Sequence, residues 1–123
     1  MARARGMTWE DVCAYATTLP GVEEGTSCGT PALRVKRVFL ARLREDGETL
    51  VVPVDPDERP LLVEAHRDEL FVTKHYENWP LVLVALPRAR PQLVRELIED
   101  AWAAKAPKRL VEARLAERKG ASA

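Results

Sequence analysis

The sequence is poor in the residues that build metal sites and disulfide frameworks. Its 123 residues include two cysteines, Cys13 and Cys28, and two histidines, His66 and His75. No C-x-x-C pair is present, so we expect no metal ion and no other cofactor. The two cysteines could form one disulfide, but without a secretory signal we expect two thiols, with Cys28 buried or inert rather than nucleophilic.

The chain also lacks a long hydrophobic run and the usual catalytic motifs. Residues 1 to 7 carry Arg3 and Arg5 with no apolar stretch behind them, which predicts neither a signal peptide nor a membrane span there. The serines are Ser27 and Ser122, and neither lies in a G-x-S-x-G motif. A glycine-rich phosphate loop is missing too. We therefore expect a cytoplasmic protein that is not an enzyme and does not bind membranes.

The whole chain has no net charge of either sign, but several of its segments are strongly charged. Nineteen Lys and Arg residues balance nineteen Asp and Glu residues, which argues against a protein that coats nucleic acid through bulk charge. Residues 32 to 44 hold five basic residues and no acid, whereas residues 45 to 69 hold nine acids and two arginines. Residues 105 to 119 hold six basic residues and two acids. A local basic surface is therefore compatible with the neutral total.

The basic stretch at residues 32 to 44 has two interpretations. Its side chains could bind phosphate oxygens through guanidinium and ammonium groups, and the candidate contacts are Arg34, Lys36, Arg37 and Arg42. Alternatively, alternating arginines form the solvated face of a half-exposed sheet. Ion pairs between these residues and Asp46 or Glu48 would favour the second interpretation. For the basic residues after position 105, a favourable interaction with the helix dipole is the simpler explanation.

The order of apolar residues predicts an α+β fold. Thr8, with Asp11 three residues later, is a good N-cap for a helix from about Trp9 to Thr18. Alternating apolar residues then predict a three-stranded antiparallel meander, with its first turn near Lys36-Arg37 and its second at Asp46-Gly47. The remaining predicted elements are a short helix within residues 57 to 67, strands at 70 to 73 and 81 to 86, a helix from Pro91 to Ala106, and a last helix that ends before Gly120.

These elements follow the order α-β-β-β-α-β-β-α-α, which implies an antiparallel sheet of about five strands packed on helices. The small and polar residues from Gly25 to Thr30 predict a loop that leads into the sheet. Length and composition predict a single domain over residues 8 to 118, with a flexible N-terminus at residues 1 to 7 and a frayed tail at residues 119 to 123.

His75, Tyr76 and Trp79 lie within five residues and offer two interpretations. They could form a stacking platform or a pocket for a small molecule or a protein partner. The simpler interpretation is that Tyr76 and Trp79 close one end of the core while His75 bonds to nearby backbone. No partner for acid–base or nucleophilic catalysis by His75 is recognisable in the sequence.

Four segments, taken in order, resemble one known family. They are Leu-Pro-Gly-Val-Glu-Glu at 19 to 24, the basic stretch at 33 to 43, Val-Thr-Lys-His-Tyr at 72 to 76 with Trp79, and Glu-Asp-Ala-Trp at 99 to 102 followed by Ala-Pro-Lys-Arg-Leu at 106 to 110. Over residues 8 to 112, the chain resembles the MmcQ/YjbR-like proteins. The resemblance implies a frataxin-like, or CyaY-like, α+β fold.

The resemblance also implies DNA binding, because the family is usually described as binding DNA through a double-wing arrangement of hairpins. Its first wing corresponds to residues 35 to 39, with the four basic residues named above as phosphate contacts. Its second wing corresponds to Lys74, His75 and Tyr76. The chain departs from the family at Lys36-Arg37, where relatives commonly carry a glycine, and at Glu77-Asn78, which weakens the second wing.

These observations lead to one expected function and one alternative. We expect a monomer or weak dimer that binds double-stranded DNA with weak sequence specificity, through Arg34, Lys36, Arg37, Arg42 and Lys74. The alternative is a module that binds a small molecule or a protein partner through His75, Tyr76 and Trp79.

Overall fold

The computed structural model describes residues 6–27 and 29–122, with side chains through residue 117. In that part of the chain there are four helices, namely α1 (Trp9–Ala16), α2 (Arg59–Ala65), α3 (Pro91–Lys105) and α4 (Lys108–Ser122). A 3₁₀ helix covers Lys74–Tyr76. The strands are β1 (Val22–Ser27), β2 (Thr30–Val35), β3 (Val38–Leu43), β4 (Thr49–Pro53), β5 (Leu70–Phe71) and β6 (Leu81–Ala85).

The predicted α+β class and the antiparallel sheet are confirmed, but the predicted number of strands is wrong. The described strands form one six-stranded sheet in the order β1-β2-β3-β4-β6-β5, and every neighbouring pair is antiparallel. The predicted meander corresponds to β2, β3 and β4. The element order therefore gains one strand between the first helix and the meander.

The additional strand, β1, occupies residues that we predicted partly as a loop. It lies at the edge of the sheet and pairs with β2 from Val22, opposite Val35, to Ser27, opposite Thr30. Its four central residues are exposed, so no face of the strand is apolar. Periodicity could not reveal it, because the strand is held by backbone pairing rather than by a buried row of side chains.

Packing and helical structure extend close to both ends of the described part of the chain. Met7, which we placed in a flexible N-terminus, is buried, and its N–H donates a 3.1 Å hydrogen bond to the carbonyl of Leu86. A side chain at Gly6 would collide with that same carbonyl. At the other end, α4 includes residues 119 to 122, for which we predicted a frayed tail. Residues 1 to 5 and 123 lie outside the described part of the chain.

The helices cover one face of the sheet and form the main core. α3 contacts both β3 and β4, and it also packs on α1. Fully buried aliphatic residues from the sheet, including Leu33, Leu40 and Leu50, meet Ile98 and Trp102 of α3. The predicted capping box of α1 is confirmed, because the Thr8 side chain accepts from the N–H of Asp11 and the Asp11 carboxylate accepts from the N–H of Thr8.

The opposite face of the sheet is crossed by residues 73 to 80, which we call the aromatic segment. A small second core forms there from Val51, Leu83 and Tyr76. Because side chains alternate between the two faces of a strand, Arg34 and Arg42 point away from the helices and towards this second face. The face opposite the helices is therefore both basic and aromatic.

Candidate nucleic-acid interface

The tip of the β2–β3 hairpin presents two cations. Lys36 and Arg37 form the predicted turn, with φ angles of 49° and 73°, and both side chains are exposed. Two central residues with positive φ match a type I′ turn, which suits the twist of a two-residue hairpin but normally uses Asn and Gly. Val38, the next residue, is 42% exposed. The turn therefore places two charged side chains and an apolar one at the end of a narrow projection.

Arg34 lies in the same hairpin, but its guanidinium is used inside the sheet. It extends across β1 over Gly25, where its Nη1 atom is 3.5 Å from the position that a β-carbon would occupy. The same atom donates a 2.8 Å hydrogen bond to the carbonyl oxygen of Thr26. Glu23 stands directly opposite Arg34 in the β1–β2 register. Arg34 thus fastens the edge strand to β2 and is less free than the residues at the tip.

Arg42 connects the hairpin to the aromatic segment. Its Nη1 atom donates a 2.9 Å hydrogen bond to the hydroxyl of Thr30, and its Nη2 atom donates a 2.8 Å hydrogen bond to the phenolic oxygen of Tyr76. Tyr76 itself is buried. Arg42 therefore joins β2, β3 and the aromatic segment, a role that the sequence did not indicate.

Arg44 is a residue of this face that we did not select from the sequence. Its guanidinium carbon lies 5.8 Å from the centroid of the Tyr76 ring, within the range of a cation–π contact. Its Nε atom is buried without a hydrogen-bond partner in the described part of the structure. The alternation Arg42, Leu43, Arg44, with Leu43 in the core, was the signal that could have placed Arg44 beside Arg42.

Arg59 holds the aromatic segment in place from the first turn of α2. Its Nη1 atom donates to the carbonyls of Tyr76, Trp79 and Leu81, and its Nη2 atom donates to the carbonyl of Glu77 at 2.6 Å. One guanidinium thereby donates to three carbonyls of the aromatic segment and to the carbonyl of Leu81, at the start of β6. No local sequence pattern indicates this role, since the acceptors lie 17 to 22 residues away.

The remaining predicted site residues do not converge on one pocket. Lys74 and His75 are exposed on the 3₁₀ helix, and the His75 ring meets the Tyr76 ring edge-on with centroids 4.8 Å apart. Trp79 is 59% exposed, so it does not close the core as the simpler interpretation expected. Tyr76 does pack in the small second core. Cys28 lies outside the described residues.

Among the described residues, no ion pair involves the basic residues of the hairpin. The ion pairs among the described residues join His66 and Arg90 to Glu69, Arg67 to Glu64, and Arg114 to Glu99. The Asp46 carboxylate instead accepts from the N–H groups of Glu48 and Thr49 and from the Thr49 hydroxyl. The hydrogen bond from the Thr49 hydroxyl is the largest cause of the lowered pKa of Asp46, and the charge of Arg44 contributes least.

Three of the clefts on the described surface are lined by other residues than His75, Tyr76 and Trp79. One of about 630 Å³ lies between the end of β4 and α3, and it is lined by residues that include Pro80, Asp100 and Lys105. Burial, assisted by the charges of Glu99 and Glu96, raises the pKa of Asp100 there. A second, of about 480 Å³, lies beside α2 and β5.

The third cleft, of about 470 Å³, lies between α1 and β1 and contains Cys13. Cys13 is a buried free thiol, as expected from the sequence. Burial and the nearby Glu24 carboxylate raise the pKa of the Cys13 thiol to about 12. This thiol is therefore protonated at neutral pH and is not an activated nucleophile.

Comparisons with known proteins agree with the resemblance seen in the sequence. A family model described as YjbR matches residues 17–104. The uncharacterised protein Rv2570 of Mycobacterium tuberculosis is 46% identical over 124 residues, which cover 89% of this chain and 96% of the relative. The uncharacterised protein Mb2600 of Mycobacterium bovis is similar to the same extent.

The fold is similar to a solved structure as well. The crystal structure of Deinococcus radiodurans protein DR2400, with a DUF419 domain, aligns with a TM-score of 0.67 at 19% identity. The alignment covers 85% of this chain and 81% of that protein. Among the described residues, no helix combines the length and apolar character that a membrane crossing requires.

Proposed function

The chain belongs to the YjbR family, and we propose that it is a non-enzymatic domain that binds double-stranded DNA through the tip of the β2–β3 hairpin. One observation supports the proposal most strongly. Lys36 and Arg37 are held outward in adjacent positive-φ positions, and neither takes part in an ion pair among the described residues. Positive φ angles strain the backbone at residues such as Lys and Arg. Strain of this kind is typical of functional sites, so two cations kept in these positions favour a role in ligand binding.

The basic residues then divide into two roles. Lys36 and Arg37 contact phosphate oxygens, and Lys74 adds a weaker contact from the 3₁₀ helix. Arg34 and Arg42 keep the hairpin and the aromatic segment in position through their hydrogen bonds to Thr26, Thr30 and Tyr76. Because phosphate contacts carry no base information, binding is weakly sequence-specific and steeply salt-dependent.

A titration of a fluorescent duplex, followed by anisotropy at about 50 mM and about 200 mM salt, tests the proposal. The key variant is Lys36→Asn with Arg37→Gly, because it removes both charges while keeping residues that a type I′ turn favours. We expect binding at low salt, a loss of roughly tenfold in this variant, and a salt slope that is smaller by about two.

The matched control is Arg67→Gln with Arg95→Gln. It removes the same charge from two exposed positions on other parts of the chain. Arg67 follows α2, and Arg95 lies ten residues before Lys105, about 15 Å away along the α3 axis. We expect the control to bind nearly as the wild type does. Absence of binding at low salt, or an equal loss in the two variants, would refute the hairpin as the DNA contact.

The proposal includes three further properties, namely the location, the oligomeric state and the type of fold. We place the protein in the cytoplasm, as a monomer or weak dimer, with a frataxin-like arrangement of the sheet. The antiparallel sheet with helices on one face is compatible with that arrangement.

A second candidate function is favoured by Trp79. An indole that is 59% exposed beside a basic surface is typical of a partner-binding residue. A ligand or protein partner whose thermal-shift signal disappears in Trp79→Ala but persists in His75→Ala would support this candidate over DNA binding.

A further inference from the structure

We propose that the start of α4, through Lys108 and Arg109, forms a second phosphate-contacting element beside the hairpin tip. This inference rests on the proposed DNA-binding function and extends it to a different part of the chain. Its partner is the same, the sugar-phosphate backbone of a duplex, and it makes the interface a surface built from two elements rather than one projecting turn.

The two elements meet at Gly21, which precedes β1. Gly21 has a φ of +81°, and a β-carbon at this position would lie 2.9 Å from Leu110 Cδ1 and 3.4 Å from Lys36 Cε. The N–H of Lys36 also donates a hydrogen bond to the carbonyl of Gly21. The hairpin tip and the first turn of α4 are therefore packed against the same residue, although about 70 positions separate them in the sequence.

The contact is fixed by the core rather than by surface side chains. The Trp102 indole N–H donates a 2.8 Å hydrogen bond to the carbonyl of Pro20, which ties α3 to the turn before β1. Leu110 and Val111 pack against the main core, and Arg114 is paired with Glu99 of α3. The first turn of α4 consequently has a fixed position next to the hairpin.

The charges at this place are free to bind an anion. Lys108 and Arg109 flank Leu110 on its N-terminal side and are exposed. Neither takes part in an ion pair among the described residues, whereas Arg114, farther along the same helix, does. Lys36 lies against Gly21, and Arg37, Lys108 and Arg109 are next to or two positions from Lys36 or Leu110 in the chain. Four cations without an ion pair among the described residues therefore belong to the two elements that meet at Gly21.

This arrangement differs from a pair of wings. The aromatic segment contributes Lys74, but it is followed by Glu77, and Arg42 and Arg44 beside it are engaged with Tyr76. The start of α4 has two unpaired cations in succession, with Glu112 as the nearest acid in its sequence. A polyanion that touches the hairpin tip therefore finds more free charge on α4 than on the second wing.

The test compares three variants, each of which lacks two positive charges. They are Lys108→Gln with Arg109→Gln on α4, Lys36→Asn with Arg37→Gly on the hairpin, and Arg67→Gln with Arg95→Gln as the control. Each is titrated with the same duplex over a range of salt. We expect the α4 variant to lose roughly tenfold in affinity and to have a salt slope smaller by about two. The variant that combines the α4 and hairpin substitutions should have a salt slope smaller by about four.

The outcomes separate this inference from the proposed function. If the wild type binds and the hairpin variant is weakened, but the α4 variant matches the control, the inference is wrong and the proposed function stands. If the α4 variant alone is weakened, the duplex contacts α4 without the hairpin, and the two-element surface is wrong. If the wild type fails to bind duplex DNA at low salt, both fail. Circular dichroism of each variant verifies that the fold is intact.

Discussion

The guanidinium of Arg42 donates a 2.8 Å hydrogen bond to the phenolic oxygen of Tyr76. This bond links the end of β3 to a segment 34 residues farther along the chain, and it lies on the face of the sheet opposite α3. Arg44 approaches the same ring from its face. With Arg34, which is bonded to Thr26, three of the five basic residues in the hairpin region thus support the fold.

Tyr76→Phe is expected to destabilise the protein by about 1–2 kcal/mol, because it leaves an N–H of the half-buried Arg42 without its acceptor. Urea unfolding measures the change. His75→Ala, at an exposed neighbouring position, serves as the control and should change the unfolding free energy by no more than about 0.5 kcal/mol. Equal effects in the two variants would show that the Arg42–Tyr76 bond contributes nothing to stability. Duplex binding should survive in Tyr76→Phe, since Lys36 and Arg37 are untouched.

Arg59→Met is expected to cost about 2–3 kcal/mol of unfolding free energy, because three carbonyls of the aromatic segment and the carbonyl of Leu81 each lose a donor. Hydrogen exchange should show faster opening of residues 74 to 81 than of β4. The matched control is Arg67→Met, which removes a side chain that is 71% exposed and that pairs with Glu64 among the described residues. A loss of unfolding free energy in Arg67→Met as large as that in Arg59→Met would contradict the role of Arg59 in holding the aromatic segment.

The sequence predicted the elements whose signals are local. The capping box of Thr8 and Asp11, the turn at Lys36-Arg37 and the apolar stripe of α3 each lie within a few residues, and all three are confirmed. The strand β1 could not be found in this way, because both of its faces are exposed and its partner lies across a turn.

The candidate site was predictable only in part, for a similar reason. The presence of basic residues on the hairpin follows from the sequence, but their division into free and engaged residues does not. Arg42 donates a hydrogen bond to Tyr76, which is 34 residues away, and Arg59 donates hydrogen bonds to carbonyls 17 to 22 residues away. Such contacts are fixed by the tertiary packing of the aromatic segment and leave no periodic pattern.

The turn variant Lys36→Asn with Arg37→Gly should raise the unfolding free energy by about 1 kcal/mol, because residues that tolerate positive φ replace two that do not. Lys36→Ala with Arg37→Ala removes the same charges but keeps both β-carbons, so it should not raise the unfolding free energy. Thermal unfolding of both variants gives the comparison. A stability gain shared by the two variants would instead point to relief of charge repulsion.

Glu69 should make stability depend on pH in the acidic range. Burial alone would raise the pKa of Glu69, but hydrogen bonds and the charge of Arg90 outweigh burial and lower the pKa below its ordinary value of 4.5. A lowered pKa in the folded state means that the stabilisation is complete above about 4.5 and is lost as the pH falls through the folded-state value.

Glu69→Gln should therefore cost about 1–3 kcal/mol near pH 7, and the difference from the wild type should shrink near pH 3. Chemical unfolding at several pH values measures it. Glu64→Gln, whose partner Arg67 is exposed, is the control and should show a difference close to zero throughout. If the difference in unfolding free energy between Glu69→Gln and the wild type grows as the pH falls, the lowered pKa assigned to Glu69 is wrong.

Cys13 should be unreactive in the folded protein, and Glu24 should be part of the reason. Burial comes first and the Glu24 carboxylate second in raising the pKa of the thiol to about 12 from 9.0, which lowers the thiolate fraction roughly a thousandfold. In a Cys28→Ser background, a disulfide reagent near pH 8 should label Cys13 only slowly until denaturant is added. Glu24→Gln should accelerate native labelling, while Glu23→Gln, the adjacent residue on the other face of β1, should not. Equal labelling rates in the Glu24 and Glu23 variants would show that Glu24 does not contribute and would leave burial and the charge of Glu10 as the causes of the low reactivity.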